Sequence, residues 1–215
     1  LVTGTAFAEK SALEIVDEAN KLLRGQSSHA RISMSIATPK WERTLEIESW
    51  NHGRDKALMR ILSPAKERGN GTLKVGKELW NWLPSVERVI KIPPSMMHSS
   101  WMGSDFSYED VVKADSIVKD YNHKIIERTA LENRTRYVIQ ADPKPDAPVV
   151  WGKILFTADV DAEGVIPLHE EDYSERGEHI RTIKFLNVQK MSRRRITTSI
   201  ECVPLKKSGH KTVIV

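Results

Sequence analysis

The sequence predicts a mainly β chain: a curled antiparallel sheet of about ten or eleven strands, with one helix ahead of it and a helical interruption near its middle. Three observations carry this. From His29 onward, apolar residues recur at every second position through most of the chain, the period of a half-buried strand. A helical spacing occupies the stretch before that, opened by Ser11-Ala12-Leu13-Glu14, which is a capping box. Pro93-Pro94 then stops the strand run part-way, because proline cannot donate to a ladder.

In order, the hydroxyl of Ser11 and the carboxylate of Glu14 serve the unpaired N–H groups of a helix whose apolar face is Ala12, Ile15, Val16, Ala19, Leu22 and Leu23. Gly25 ends it. Ile32, Met34 and Ile36 alternate with Arg31, Ser33 and Ser35. After the Thr38-Pro39 turn, Trp41, Arg43, Leu45 and Ile47 alternate with Glu42, Thr44, Glu46 and Glu48, so a hairpin is predicted. A strand over Asp55–Leu62 and strands at Thr72–Val75, Glu78–Leu83 and Arg88–Ile92 follow, around a solvent-facing loop at Ala65–Asn70. Beyond the double proline, Ser95–Met102 is spaced for a short helix with Met97 and Trp101 on one side. Ser107 and Asp110 make a second cap, and Asp105 and Asp110 read as caps or salt-bridge partners, not catalytic acids. Alternation returns after Tyr121 and runs through Arg195–Leu205, interrupted by the stiff, proline-rich loop Asp142–Pro148.

Composition narrows the function classes. A chain of 215 residues, 40% hydrophobic and 29% charged, reads as one globular domain over residues 9–215. Residues 1–8 end in Ala6-Phe7-Ala8, the small-residue pattern of a signal-peptide tail with cleavage after Ala8. The formal charge of +4 names no partner by itself. Its excess lies late: Lys190, Arg193, Arg194, Arg195, Lys206, Lys207 and Lys211 stand against Glu201. This cluster reads as a solvated strand face, or as a patch for anionic headgroups or an acidic partner centred on Arg193, Arg194 and Arg195. It lacks interleaved aromatics, so no nucleic-acid role is expected. Cys202 stands alone and reads as a buried thiol. Metalloprotease, paired-cysteine zinc, P-loop and nucleophile-elbow motifs are absent. The hairpin bearing His169 and His179 is the best metal candidate, but its mixed charges read as a solvated edge. The expectation is no enzyme, no metal and no cofactor.

The informative stretch is Gly71–Val112. It carries Trp80, Trp82 and Trp101 with Met96, Met97, Met102, Phe106 and Tyr108, and Met beside Trp makes a surface able to re-pack around partners of different shape. Trp80 and Trp82 share one strand face as an aromatic wall, of a core or of a ligand site. In order, Arg60-Ile-Leu-Ser-Pro64, Gly69-Asn-Gly-Thr-Leu73, Trp80-Asn-Trp-Leu-Pro-Ser85, Arg88-Val-Ile-Lys-Ile92 and Gly103-Ser-Asp-Phe-Ser-Tyr-Glu-Asp110 resemble the outer-membrane lipoprotein-sorting, LolA/LolB-like superfamily, in particular its uncharacterised LolA-like branch.

The resemblance implies an unclosed, curled antiparallel β-barrel whose concave apolar face is covered by the N-terminal helix and a short helical lid, and which holds acyl chains. It implies a soluble periplasmic carrier of lipid or lipoprotein acyl chains, working as a monomer between an inner-membrane exporter and an outer-membrane acceptor, with peripheral membrane contact. The alternative is a periplasmic sensor that binds a lipidated or unfolded partner protein. On this reading Trp80, Trp82, Ile92, Met96, Met97, Trp101, Met102 and Phe106 form the cavity wall and lid. The physical need is plain: each methylene exposed to water costs about 0.8 kcal/mol, so an acyl chain crosses water only inside an apolar cavity.

Overall fold

A computed structural model describes residues 10–24, 26–112, 115–191 and 194–215. Helix α1 spans Ala12–Arg24. Strands β1 (Ser27–Ala37), β2 (Glu42–His52), β3 (Lys56–Ser63), β4 (Gly71–Val75), β5 (Glu78–Leu83) and β6 (Arg88–Lys91) follow. Two 3-10 turns, Pro94–Met96 and Trp101–Gly103, and the short helices α2 (Tyr108–Val112) and α3 (Ser116–Lys119) interrupt the strands. The chain continues through β7 (Tyr121–Leu131), β8 (Arg134–Pro143), β9 (Lys153–Asp161), β10 (Gly164–Tyr173), β11 (His179–Met191), β12 (Arg194–Pro204) and β13 (Lys211–Ile214).

Among the described residues these thirteen strands form one antiparallel sheet in the order β6-β5-β4-β3-β2-β1-β13-β12-β11-β10-β9-β8-β7. Its ends, β6 and β7, do not pair, so the sheet curls without closing, as expected for the fold class. The strand count exceeds the predicted ten or eleven, and β13, four residues long, is a strand that the sequence reading, which ended its alternation at Leu205, did not include. It joins the two halves of the sheet, pairing β1 through Met34–Ala37 and β12 through Ile200–Cys202.

Two coverings fill the concave face. The predicted capping box forms: Ser11 N–H and Oγ both donate to Glu14 at 2.7 Å, and Glu14 N–H returns to Ser11 Oγ at 3.3 Å. The helix it starts presses Ile15, Val16 and Ala19 onto Ile139, Phe156, Ala158 and Val165; each buried aliphatic side chain contributes about 1.5–3 kcal/mol. The β2–β3 turn reaches the same helix through Arg54, bonded to Asp17 at 2.6 Å. The second covering is the chain from Pro93 to Val112. The single short helix predicted over Ser95–Met102 is instead the two 3-10 turns, because Met102 has φ 52° and the Trp101 N–H donates to Phe106 O at 2.7 Å. The predicted signal tail at residues 1–8 lies outside the described residues.

Candidate functional site

Strand parity decides which side chains meet the second covering. On β5, Leu79 and Asn81 point inward, and Trp80 and Trp82 therefore point out. The structure thus separates the predicted wall. Trp80 and Trp82 lie on the outer face, where Lys91 Nζ sits 5.7 Å from the Trp80 ring centre and Trp82 is 40% exposed. Met96 is exposed, and Phe106 is half-buried. Ile92, Met97, Trp101 and Met102 do come together. Trp101, 3% exposed, packs with Met34, Ile36, Leu45, Ile47 and Ile61, with Met102 alongside, while Ile92 and Leu79 meet Met97, Tyr108 and Val111.

Polar groups on the sheet hold this cover. Trp101 Nε1 donates to Thr72 Oγ1 at 3.2 Å, Thr72 Oγ1 to Asn81 Oδ1 at 3.0 Å, and Asn81 Nδ2 to Tyr108 Oη at 2.9 Å. The chain runs from cover to sheet and back, and it satisfies polar groups that would otherwise be costly to bury. Arg43 donates to the Met102 carbonyl and to Glu67. Gly103 follows with φ +73°, and an added Cβ there would lie 3.0 Å from Arg43 Nη2. On the β13 side, Asp105 N–H donates to Thr212 Oγ1 at 3.0 Å, and that hydroxyl donates to Asp105 Oδ2 at 2.8 Å.

The strongest tether is ionic. Ser107 caps α2 by accepting the Asp110 N–H on its Oγ at 3.3 Å, and its own N–H and Oγ donate to Asp110 Oδ2 at 2.7 and 2.9 Å. The same carboxylate receives both terminal nitrogens of Arg181, each at 2.7 Å, the bidentate geometry that makes Arg–carboxylate pairs strong. Arg181 Nε donates to Asp172 at 2.6 Å, and its guanidinium carbon lies 4.6 Å from the Trp151 ring centre. The arginine is 5% exposed at its side chain and Asp172 is fully buried. Burial pushes the Asp110 carboxyl up, but the charge and hydrogen bonds of Arg181 and the bonds from Ser107 outweigh it and leave the group below its ordinary range. Glu170 lies on the same face of β10. Burial, then the charge of Asp172, pushes its carboxyl well up. Asp172 Oδ1 has no hydrogen-bond partner among the described residues.

Sequence reasoning placed Asp110 as a cap or salt-bridge partner, and it is both. It missed Arg181, Arg43, Thr72 and Asn81, and read Glu170 and Asp172 only as part of the hairpin metal candidate Leu168–Asp172. The available signal was a charged residue on the apolar parity of a strand, as with Arg43 between Trp41 and Leu45, or Arg181 two residues before Ile183. Arg195, expected to meet headgroups, is engaged by Asp161 at 2.7 and 2.6 Å; Arg193 and the Arg194 side chain lie outside the described residues. Cys202 is fully buried, and burial pushes its thiol up to about 12. His169 sits 3.7 Å from Glu171, while His179 stacks on Tyr173 with ring centres 4.8 Å apart.

Comparison with known proteins locates this architecture. Residues 53–215 match the model of a family described as an uncharacterized protein. No curated protein matches the chain in sequence. Among solved structures, a LolA superfamily protein from Nitrosomonas europaea is 22% identical, with a TM-score of 0.78 over 96% of this chain and 91% of that one. An outer membrane lipoprotein-sorting protein domain from Vibrio parahaemolyticus is 20% identical, with a TM-score of 0.78 over 94% and 88%. A DUF1329 family protein from Desulfovibrio piger is 20% identical, with a TM-score of 0.81 over the same shares. The chain therefore belongs to this uncharacterized-protein family across residues 53–215 and carries the fold of the LolA-like, outer-membrane lipoprotein-sorting superfamily.

Proposed function

We propose that this protein is an exported, periplasmic carrier that takes acyl chains of a lipid or lipoprotein onto its concave face beneath the cover formed by residues 93–112. The observation that carries the reading is the composition of the two apposed surfaces. The sheet offers Met34, Ile36, Leu45, Ile47, Ile61 and Leu79, an apolar surface that a hydrocarbon chain could cover, bordered by the polar tethers Thr72, Asn81 and Arg43. The cover meets it with Trp101, Met102, Met97, Tyr108 and Val111. These occupy the space an acyl chain would take, so binding requires the cover to lift. A crevice beside Leu22, Val165 and Val188 measures about 10 Å³, against ~300–1,000 Å³ for sites that enclose a drug-sized ligand.

Lifting exposes apolar surface and the incoming chain covers it again, so the apolar contacts are exchanged like for like, and the cost of uptake lies in the tethers to Arg43, Thr72, Asn81, Thr212 and Arg181 that the cover must release. Hand-over then needs only an acceptor that binds better, each tenfold in affinity corresponding to about 1.4 kcal/mol. Ile92, Met97, Trp101 and Met102 are the assigned cover and wall residues; Trp80 and Trp82 are not. An inner-membrane exporter and an outer-membrane acceptor are the partners this role calls for.

Native mass spectrometry of the protein from a bacterial host, followed by lipid extraction, tests the reading. A bound acyl-containing species is expected, lost in Ile47→Asp or Met97→Asp and retained in Trp82→Asp. A bare mass with no uptake of added fatty acid or lipopeptide by the folded protein would refute it.

A further inference from the structure

The outer face of β3–β6 is an apolar field with a cationic rim. Cross-strand register puts Trp50, Leu58, Leu73, Trp80 and Lys91 directly opposite one another on successive strands. The next row carries Arg60, Gly71, Trp82 and Val89. Leu58, Leu73, Val75 and Trp82 are each about two-fifths exposed, and Val89 on the edge strand is 64% exposed. This is a contiguous patch, unlike single exposed apolar residues, which need no explanation.

Charge surrounds it. Arg60 stands 5.6 Å from the Trp50 ring centre and Lys91 5.7 Å from that of Trp80. Lys56, in line with Val75 and Glu78, and Lys77 in the β4–β5 turn are exposed and make no ion pair among the described residues. Glu48 is bonded to Arg60 and Glu78 to Lys91, while Glu46 on β2 and Asp55 and Glu87 in the adjoining turns stand exposed at the border of the patch.

We propose that this outer face is a membrane-contact surface that lies on bilayers carrying anionic headgroups. Indole rings sit at the boundary of hydrocarbon and headgroup, and lysine and arginine beside them reach the phosphates. A second copy of the chain is the wrong occupant, because face-to-face packing would oppose two cationic rims. The site lies on the opposite side of the sheet from the cover, and it stands whether or not the concave face carries acyl chains.

Flotation of the full chain with vesicles of phosphatidylcholine alone and of phosphatidylcholine with phosphatidylglycerol tests the assignment. Binding to the phosphatidylglycerol vesicles is expected, weakened about fivefold by each of Lys56→Gln and Lys91→Gln and about tenfold by Trp82→Ser. If Trp82→Ser fails to fold, Val89→Asp on the exposed edge takes its place. No binding to phosphatidylglycerol vesicles, binding unaltered in the folded variants, or a concentration-dependent dimer abolished by these substitutions would overturn the proposal.

Discussion

Arg181 is the residue whose loss should be felt most. It is buried between Asp172 and Asp110, and removing one member of a buried ionic set leaves the others uncompensated, at a cost of about 3–5 kcal/mol. Arg181→Met is therefore expected to lower unfolding free energy by that amount in urea titrations. The cluster also makes stability depend on pH, with opposite signs at its two ends. Glu170 has a raised folded pKa, so its contribution is complete below the ordinary glutamate range and fades as pH rises through the folded value. Asp110 has a lowered one, so its contribution is present above the ordinary aspartate range and fades as pH falls through the folded value. Glu170→Gln should remove the decline in melting temperature that sets in as pH rises above the ordinary glutamate range and leave the acid limb in place; an unchanged decline would contradict the raised carboxyl of Glu170.

At the scale of elements, the cover is short and irregular, and side-chain bonds hold it as much as its own backbone does. Ser107→Ala deletes the two bonds of its hydroxyl, one donated to Asp110 Oδ2 and one accepted from the Asp110 N–H, and should cost about 1 kcal/mol. Hydrogen exchange should show faster opening in residues 98–110 in this variant and in Arg43→Ala, which frees the Met102 carbonyl, with β8–β10 unaffected. How legible these elements were follows from their physics. Both capping boxes could be read directly, because a hydroxyl and a carboxylate three residues apart specify the same local bonds in any context. The alternation of β1, β2 and β8 was equally plain. Which face of β5 turned inward was not: Leu79 and Trp80 are both apolar, and parity alone does not tell core from exterior when both faces carry hydrophobic residues. The ionic cluster was hidden for another reason, since Asp110 and Arg181 are 71 positions apart and only the curl of the sheet brings them together.

At the scale of the whole molecule, the concave side is the closed one and the outer side the open one. If acyl chains enter by displacing the cover, variants that weaken its tethers should load faster. Arg43→Ala and Asp110→Asn are expected to raise the rate of uptake of a fluorescent fatty acid several-fold, each tenfold in rate corresponding to about 1.4 kcal/mol of barrier. Equal rates in both variants and the parent would mean that the chain enters elsewhere.

The placement of β13 has a consequence for how the protein comes into being. This four-residue strand lies between β1 and β12, and its Thr212 also fastens Asp105 of the cover. A ribosome delivers β1 long before its neighbour. Until residues 211–214 emerge, β1 keeps a bare edge, the halves of the sheet remain separate, and the cover lacks one of its anchors. Such long-range pairing is slow to form, so β1 gains its second partner, and the two halves of the sheet their connection, only after residues 211–214 are available.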